Sequence, residues 1–178
     1  MVSDRAVGVL LAAGAGTRYG SPKVLAHDGL WLVAAVQALR DGGCDRVVVV
    51  LGAADAPIPD GAVAVHTPHW QQGMSASFVA GLSAASDAQY VVVHVVDTPD
   101  VGPEVVQAVL AAAQETGLAR AVFGGRPGHP VVLARRHFDE AAASASGDTG
   151  ARDFLRGRGD VIAVECSQWA TGIDHDYR

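Results

Sequence analysis

A chain of 178 residues with 49% apolar content is long enough to bury a substantial core, and it reads as one domain spanning residues 1–178. Its formal charge of −6 is spread without a block of like charges, which excludes a nucleic-acid footprint or a polybasic membrane patch as its organising feature. No apolar run reaches the roughly twenty residues of a membrane-spanning helix, and Cys44 and Cys166 form no CxxC pattern, so both are expected as reduced thiols.

AVGVLL at residues 6–11 shows no polar alternation and reads as a strand buried on both faces. Arg5 and this run imitate a secretory leader, but the run is short and cleavage near Gly14 would sever the glycine-rich stretch behind it. The expectation is a cytoplasmic protein without a cleaved leader. Residues 31–39 have helical spacing and stop at Gly42 and Gly43. Residues 46–52 read as a second buried strand and 62–66 as a third, after a loop carrying Pro57 and Pro59. Residues 74–85 read as a helix opened by Gly73, 89–97 as a long central strand, and 102–115 as a helix with Pro103 in its first turn. ARAVFGG and HPVVLA read as shorter strands flanking a glycine-rich loop, residues 124–128. Residues 135–143 and 149–156 suit short helices, and DVIAVEC is a last strand before an irregular tail. Alternating strands and helices predict an α/β fold with a doubly wound, mostly parallel sheet and right-handed crossovers. Such sheets bind ligands outside the carboxyl ends of their strands. The stretch LAAGAGTRYGSPK, residues 11–23, and Asp97 both land there.

Three phosphate-binding templates compete for that stretch. The P-loop needs glycine, lysine and Ser/Thr in succession, whereas Lys23 follows Pro22. The dinucleotide fingerprint GxGxxG runs straight into a helix. Here Gly14, Gly16 and Gly20 are spaced one residue too long, and Pro22 disfavours helix at Ser21. The third template fits: an extended glycine-bearing loop whose N–H groups wrap a triphosphate, with Arg18 and Lys23 as cationic heads. Asp97, at the end of VVVHVVD, is expensive to bury unless it meets a cation. It reads as a Mg²⁺ ligand, with a cap on the following helix as the alternative. Mg²⁺ takes one or two carboxylates besides phosphate oxygens and water, so a second acid is sought.

The loop LAAG-x3-R-x-G-x2-K resembles the signature of the nucleotidyltransferases that act on the molybdenum cofactor, in their cytidylyltransferase branch. Residues Leu11, Ala12, Ala13 and Gly14 carry that branch's LAAG, where the guanylyltransferase branch reads LAGG. QGMSASFVAGL (72–82), DTPDV (97–101), GRPGHPVVL (125–133) and GDTGAR (147–152) are similar to further motifs of the family, in the same order. The resemblance implies a Rossmann-like nucleotidyltransferase fold and transfer of CMP from CTP to the phosphate of molybdopterin, with Mg²⁺. It implies nucleotide contacts along Leu11, Ala12, Ala13, Gly14 and Gly16, and catalysis by Arg18, Lys23 and Asp97. It further implies base and ribose reading by the turn holding Ser75 and Ser77, and an acceptor pocket lined by His129 and Asp148. Asp174 aligns with the second acid of the family's C-terminal DIDTP-like motif and is implied as its second metal ligand. Here Gly172 replaces the first acid, and His175-Asp176 replaces Thr-Pro.

Plainer roles compete with these. Ser75 or Ser77 can serve as an ordinary helix cap, and Asp174 and Asp176 as solvated tail residues. His66 and His69 read as loop residues, Trp31, Trp70 and Trp169 as core or rim, and Met74 as packing. The expected partners are small molecules, a nucleoside triphosphate and a phosphorylated pterin, with a transient contact to a molybdenum enzyme or its chaperone. Three rival functions stand beside this one. They are nucleotidyl transfer from GTP or CTP to another phosphorylated metabolite, an NAD(P)H-dependent oxidoreductase of the nicotine blue oxidoreductase type, and a non-catalytic nucleotide-binding protein.

Overall fold

In the computed structural model, which describes residues 5–177, the strands are β1 (Ala6–Leu11), β2 (Arg46–Leu51), β3 (Ala62–His66), β4 (Tyr90–Val95), β5 (Leu118–Phe123), β6 (Arg126–Ala134) and β7 (Ile162–Glu165). The helices are α1 (Leu30–Asp41), α2 (Met74–Ala84), α3 (Pro103–Thr116), α4 (Phe138–Ser144) and α5 (Arg152–Leu155). Residues 1–4 and 178 of the expected domain lie outside the described residues.

The apolar runs form one sheet in the order β3-β2-β1-β4-β6-β5-β7, so β4 is central, as its largely apolar sequence, interrupted by His94, predicts. β2, β1 and β4 pair in parallel, as do β2 with β3 and β5 with β7. β6 alone runs antiparallel to its neighbours. The reason is local. Only Gly124 and Gly125 separate β5 from β6, and both have positive φ, +58° and +75°. A two-residue connection with left-handed backbone closes a hairpin and cannot serve a parallel crossover. The glycine-rich loop expected over residues 124–128 is therefore only this turn, and Pro127 already pairs with Val122 in the ladder.

Each face of the sheet is covered by helices. Leu10, Val49, Val92 and Val132 pack under α1 and α3, through Leu32, Val36, Val105 and Val109. Val9, Val50, Val93 and Val131 pack under α2 and α4, through Phe78, Leu82 and Phe138. Burying one such side chain fully is worth about 1.5–3 kcal/mol, which is why every residue of β1 is apolar. Cys44 and Cys166 are buried and unbridged. Among the described residues no helix is long and apolar enough to cross a membrane.

Several boundaries differ from the sequence reading. β4 ends at Val95, which puts Asp97 in the turn beyond it. Residues 135–137 form a 3-10 turn ahead of α4, and the helix expected over 149–156 shrinks to Arg152–Leu155. For function the decisive register is that of β1 with β4, where Leu11 lies beside Val95. The chain segments that follow these two strands therefore leave the sheet side by side.

Helix α2 approaches β1 so closely that a Cβ on Gly81 would lie 2.2 Å from Val9 Cγ1. Alanine at position 81 gains about 1 kcal/mol of helix propensity, but overpacking this contact costs about 1–3 kcal/mol. Gly81→Ala is therefore expected to be destabilising on balance, and Gly81→Val more so; urea denaturation checks both.

Candidate functional site

The segment after β1 is shaped by its backbone. Ala12 N–H donates to Val50 O at 3.0 Å, and Ala53 N–H donates to Ala13 O at 2.9 Å, so the start of the loop extends the sheet. The chain then turns at Gly16, with φ of +62°, where a Cβ would fall 1.9 Å from the Ser21 carbonyl oxygen. Only glycine fits there. Gly20 N–H donates to Gly16 O at 2.8 Å and closes the turn, leaving Gly14 and Arg18 exposed.

Lys23 begins the 3-10 turn that follows Pro22. Its Nζ donates to Asp97 Oδ2 at 2.7 Å and to Asp176 Oδ1 at 3.0 Å. The Lys23 and Asp97 side chains are only 15% and 19% exposed, against 42% for Asp176. Arg18 reaches the other Asp176 oxygen at 3.6 Å from solvent. Helix α3 is capped by Gly102 without any side-chain bond, so the capping alternative for Asp97 falls. Asp97 instead faces a cation, as its position at a strand end requires. The tail is held by a second bond, from His175 N–H to the Asp97 carbonyl at 3.0 Å.

Charge within this group is unbalanced. Burial pulls the Lys23 ammonium down, but the hydrogen bonds and charges of Asp97 and Asp176 outweigh it and raise its pKa. The Lys23 hydrogen bond holds the Asp176 carboxyl below its ordinary range. Asp174 moves the other way: partial desolvation of its carboxyl and the negative charges of Asp97 and Asp176 push it up. His129 is on β6, within the influence of the same group. Burial and the Arg120 guanidinium lower it to about 4 against the pull of Asp97, so it is neutral near pH 7. Behind it His94 is fully buried in β4, with its pKa near 3 through burial and the His129 charge, and neither ring nitrogen has a protein partner.

A second group of the expected residues assembles around Gly73. Neither Ser75 nor Ser77 caps α2. The cap is Gly73, whose φ is +101°, and Met74 N–H donates to Asp148 Oδ1 at 3.3 Å. Ser75 N–H donates to the Gly147 carbonyl at 2.9 Å, and Ser77 is buried. The sequence segments around residues 73–77 and 147–150 are thus stitched together, with an acid at a helix N-terminus where the dipole favours it. Met74 is partly exposed and lies over Gly150. His66 ends β3 and meets the Asp55 carboxylate at 2.7 Å.

Among the described residues no three His, Cys, Asp or Glu side chains stand ready to enclose a metal ion. A Mg²⁺ ion needs fewer, since it binds through one or two carboxylates with substrate phosphates and water. Asp97 and Asp174 are hard oxygen donors, and burial together with the charges of Asp97 and Asp176 disfavours an ionised Asp174, a cost that a divalent cation relieves. The residues fit that group. Asp176, read from the sequence only as a solvated tail residue, is the one that closes the site on Lys23. The signal that could have found it is its place two residues after Asp174, which in an extended tail puts both on one side. Trp31 also differs from a plain core residue, since Tyr19, His27 and His175 all pack their rings against it.

Comparison with known proteins agrees with the fold. The family described as MobA-like NTP transferase domain matches residues 8–162. Nicotine blue oxidoreductase from Paenarthrobacter nicotinovorans is 36% identical over 95% of this chain and 91% of its own length. Rv0371c from Mycobacterium tuberculosis H37Rv, solved in complex with manganese, is 27% identical with a TM-score of 0.71, covering 91% of this chain and 88% of that one. The 2-C-methyl-D-erythritol 4-phosphate cytidylyltransferase of Thermus thermophilus is 26% identical with a TM-score of 0.66, covering 98% of this chain and 94% of that one.

Lys23→Met leaves Asp97 without its cation and is expected to lower stability by about 1.5–3 kcal/mol, the range for hydrogen bonds to charged groups. Because the folded state raises the Lys23 pKa above 10.5, that contribution is complete below the unfolded value and fades as pH rises through the folded one. Urea denaturation of both proteins is expected to give a constant gap between about pH 6 and pH 10 that narrows at higher pH.

Proposed function

The chain belongs to the MobA-like NTP transferase family, and from that premise we propose that it transfers CMP from CTP to the terminal phosphate of a molybdopterin-type acceptor. The observation that carries this reading is the Lys23 ammonium seated between the Asp97 and Asp176 carboxylates beside the glycine loop. Backbone N–H groups of the loop at Gly14 and Gly16 wrap the triphosphate, as extended glycine loops do. The acceptor phosphate attacks the α-phosphorus of CTP in line, a new P–O bond forms, and the bond to the pyrophosphate oxygen breaks. A phosphate monoester is already largely ionised near neutral pH, so no general base is needed. Lys23 and Arg18 face the charge that gathers on the departing pyrophosphate, and catalysis is positioning plus electrostatic stabilisation. Asp97 and Asp174 would hold Mg²⁺, which when bound draws charge off the phosphate oxygens as a Lewis acid.

The turn at Ser75 and Ser77 reads the base and ribose in this scheme, and His129 with Asp148 faces the acceptor. A neutral His129 suits that place, since it adds a hydrogen-bonding group without a competing charge. The manganese complex of Rv0371c supports a divalent metal, and the Thermus cytidylyltransferase supports a cytidine nucleotide as donor.

The relative named nicotine blue oxidoreductase favours a second reading, in which the glycine loop holds NAD(P)H and the chain reduces a conjugated substrate. That reading leaves the clustered acids around Lys23 without a task. The two separate in one panel of melting temperatures with CTP, GTP, ATP and NADPH, each with and without Mg²⁺. A ligand present at a hundred times its dissociation constant adds about 2.7 kcal/mol. The transferase reading expects the largest shift from CTP with Mg²⁺. It also expects pyrophosphate release that falls by about a hundredfold or more in Asp97→Asn, the scale of losing one electrostatic contact to the transition state. A shift with NADPH alone, indifferent to Mg²⁺, establishes the second reading instead.

A further inference from the structure

Beside the Lys23 group, the first turn of α1 carries a cluster of rings with no role in the transfer chemistry. Trp31 is its centre. Tyr19, His27 and His175 approach it with ring centroids at 5.5, 5.1 and 5.3 Å, all tilted, at 50°, 36° and 55°. These are the separations of favourable edge-to-face and offset aromatic pairs. The rings come from three separate parts of the chain, the glycine loop, the 3-10 segment before α1 and the C-terminal tail. Between them opens a cavity of about 450 Å³, closed on the tail side by Tyr177. That volume is within the range of small-molecule sites.

The loop that builds the cavity is conformationally unusual. His27 and Asp28 have φ of +51° and +56°, the only non-glycine residues with positive φ among those described. Two consecutive side-chain-bearing residues in the left-handed region are disfavoured, and such conformations concentrate at ligand sites. Here they turn His27 onto Trp31 and set Asp28 in the cavity wall. Among the described residues that line the cavity, Asp28 is the only carboxylate, and no lysine or arginine joins it.

We propose that this cavity binds a flat heteroaromatic ring, neutral or cationic, at a site on the far side of the phosphate-holding loop, whose Tyr19 and Ser21 form part of its wall. Trp31 offers the strongest face for stacking and for attraction of a cation, and Asp28 adds charge of the sign that favours cations over anions. The tail links the two sites, because His175 packs on Trp31 while the next residue, Asp176, holds Lys23. The site goes beyond the transfer reaction and stands whether or not CTP is the donor.

The test uses the full chain, ¹⁵N-labelled, titrated at pH 7.5 with three probes: quinoline, N-methylquinolinium and quinoline-2-carboxylate. The first two are expected to move the Trp31 indole N–H signal saturably, and to bind at least tenfold more tightly than the carboxylate. Trp31→Leu is expected to weaken both at least tenfold while the indole signals of Trp70 and Trp169 stay in place. Asp28 is exposed, so Asp28→Asn keeps the fold and tests the charge term separately: N-methylquinolinium is expected to bind more tightly than quinoline to the unchanged chain and to lose that margin in the variant. Binding that survives Trp31→Leu in a folded variant overturns the proposal. So does tighter binding of the carboxylate, or shifts spread evenly over all three tryptophans. Should Trp31→Leu fail to fold, the Asp28→Asn comparison decides, and an unchanged preference among the probes counts against the site.

Discussion

A single ammonium group ties together parts of the chain that are far apart in sequence. Lys23 lies 74 residues from Asp97 and 153 from Asp176, yet its Nζ binds both carboxylates. The parallel sheet makes this meeting possible, because β1 and β4 end side by side and release the glycine loop and the Asp97 turn in the same direction. A lysine with little exposure needs compensating charge, and a buried carboxylate needs the same. Each therefore fixes the other's place. The tail joins them through a side chain on Lys23 and a backbone bond to the Asp97 carbonyl, so the C-terminal residues are part of the site as firmly as the loop is.

Much of this framework is legible in the sequence because burial on both faces of a parallel strand writes an unmistakable apolar run. β1, β2 and β4 follow from that alone, and the helix opened by Gly73 follows from its position before MSASF. β6 is harder. Its first half, RPGH, carries proline and glycine and lacks apolar alternation, so residues 126–128 read as loop. They are strand because the hairpin turn at Gly124 and Gly125 holds them against β5, and such pairing is a tertiary effect. The candidate site divides along the same line. Arg18 and Lys23 announce themselves as the cations of a glycine-bearing loop, and Asp97 through the cost of placing charge at a strand end. Asp176 does not, because an aspartate in a polar tail carries no local signal of its distant partner. The start of α2 escapes the sequence for a similar reason: a nearby serine is the local solution, and the fold uses Asp148 from a loop 74 residues away.

Behind the charged group the protein keeps its imidazoles uncharged. His94 has no protein partner for either nitrogen, and burial drives its pKa to about 3. His129, one layer closer, titrates near 4. A protonated His129 would add a cation within reach of Asp97 and compete with Lys23 for it, and a protonated His94 would add charge next to His129. Keeping both neutral leaves Lys23, Arg18 and the three aspartates as the main charges at the mouth of the glycine loop among the described residues.

That field does not suit a phosphate chain as it stands. Asp97, Asp174 and Asp176 face two cations, and Asp174 is pushed up by burial first and then by the negative charges of the other two acids. A triphosphate adds several more negative charges at the same place, so its approach requires the balance to change. Of the two acids on Lys23, Asp176 is held more loosely, at 3.0 Å with 42% of its side chain exposed, while Asp97 sits at 2.7 Å with 19% exposed. In the proposed reaction two adjustments would restore the balance: the cation assigned to Asp97 and Asp174, or withdrawal of Asp176 so that Lys23 and Arg18 turn to the incoming phosphates. They are compatible, since one acts on the inner acid pair and the other on the outer. Withdrawal of Asp176 moves its neighbour His175, whose ring is one wall of the Trp31 cavity. In the proposed reaction, occupancy of the phosphate seat and the shape of the aromatic cavity would thus be coupled through two adjacent residues of the tail.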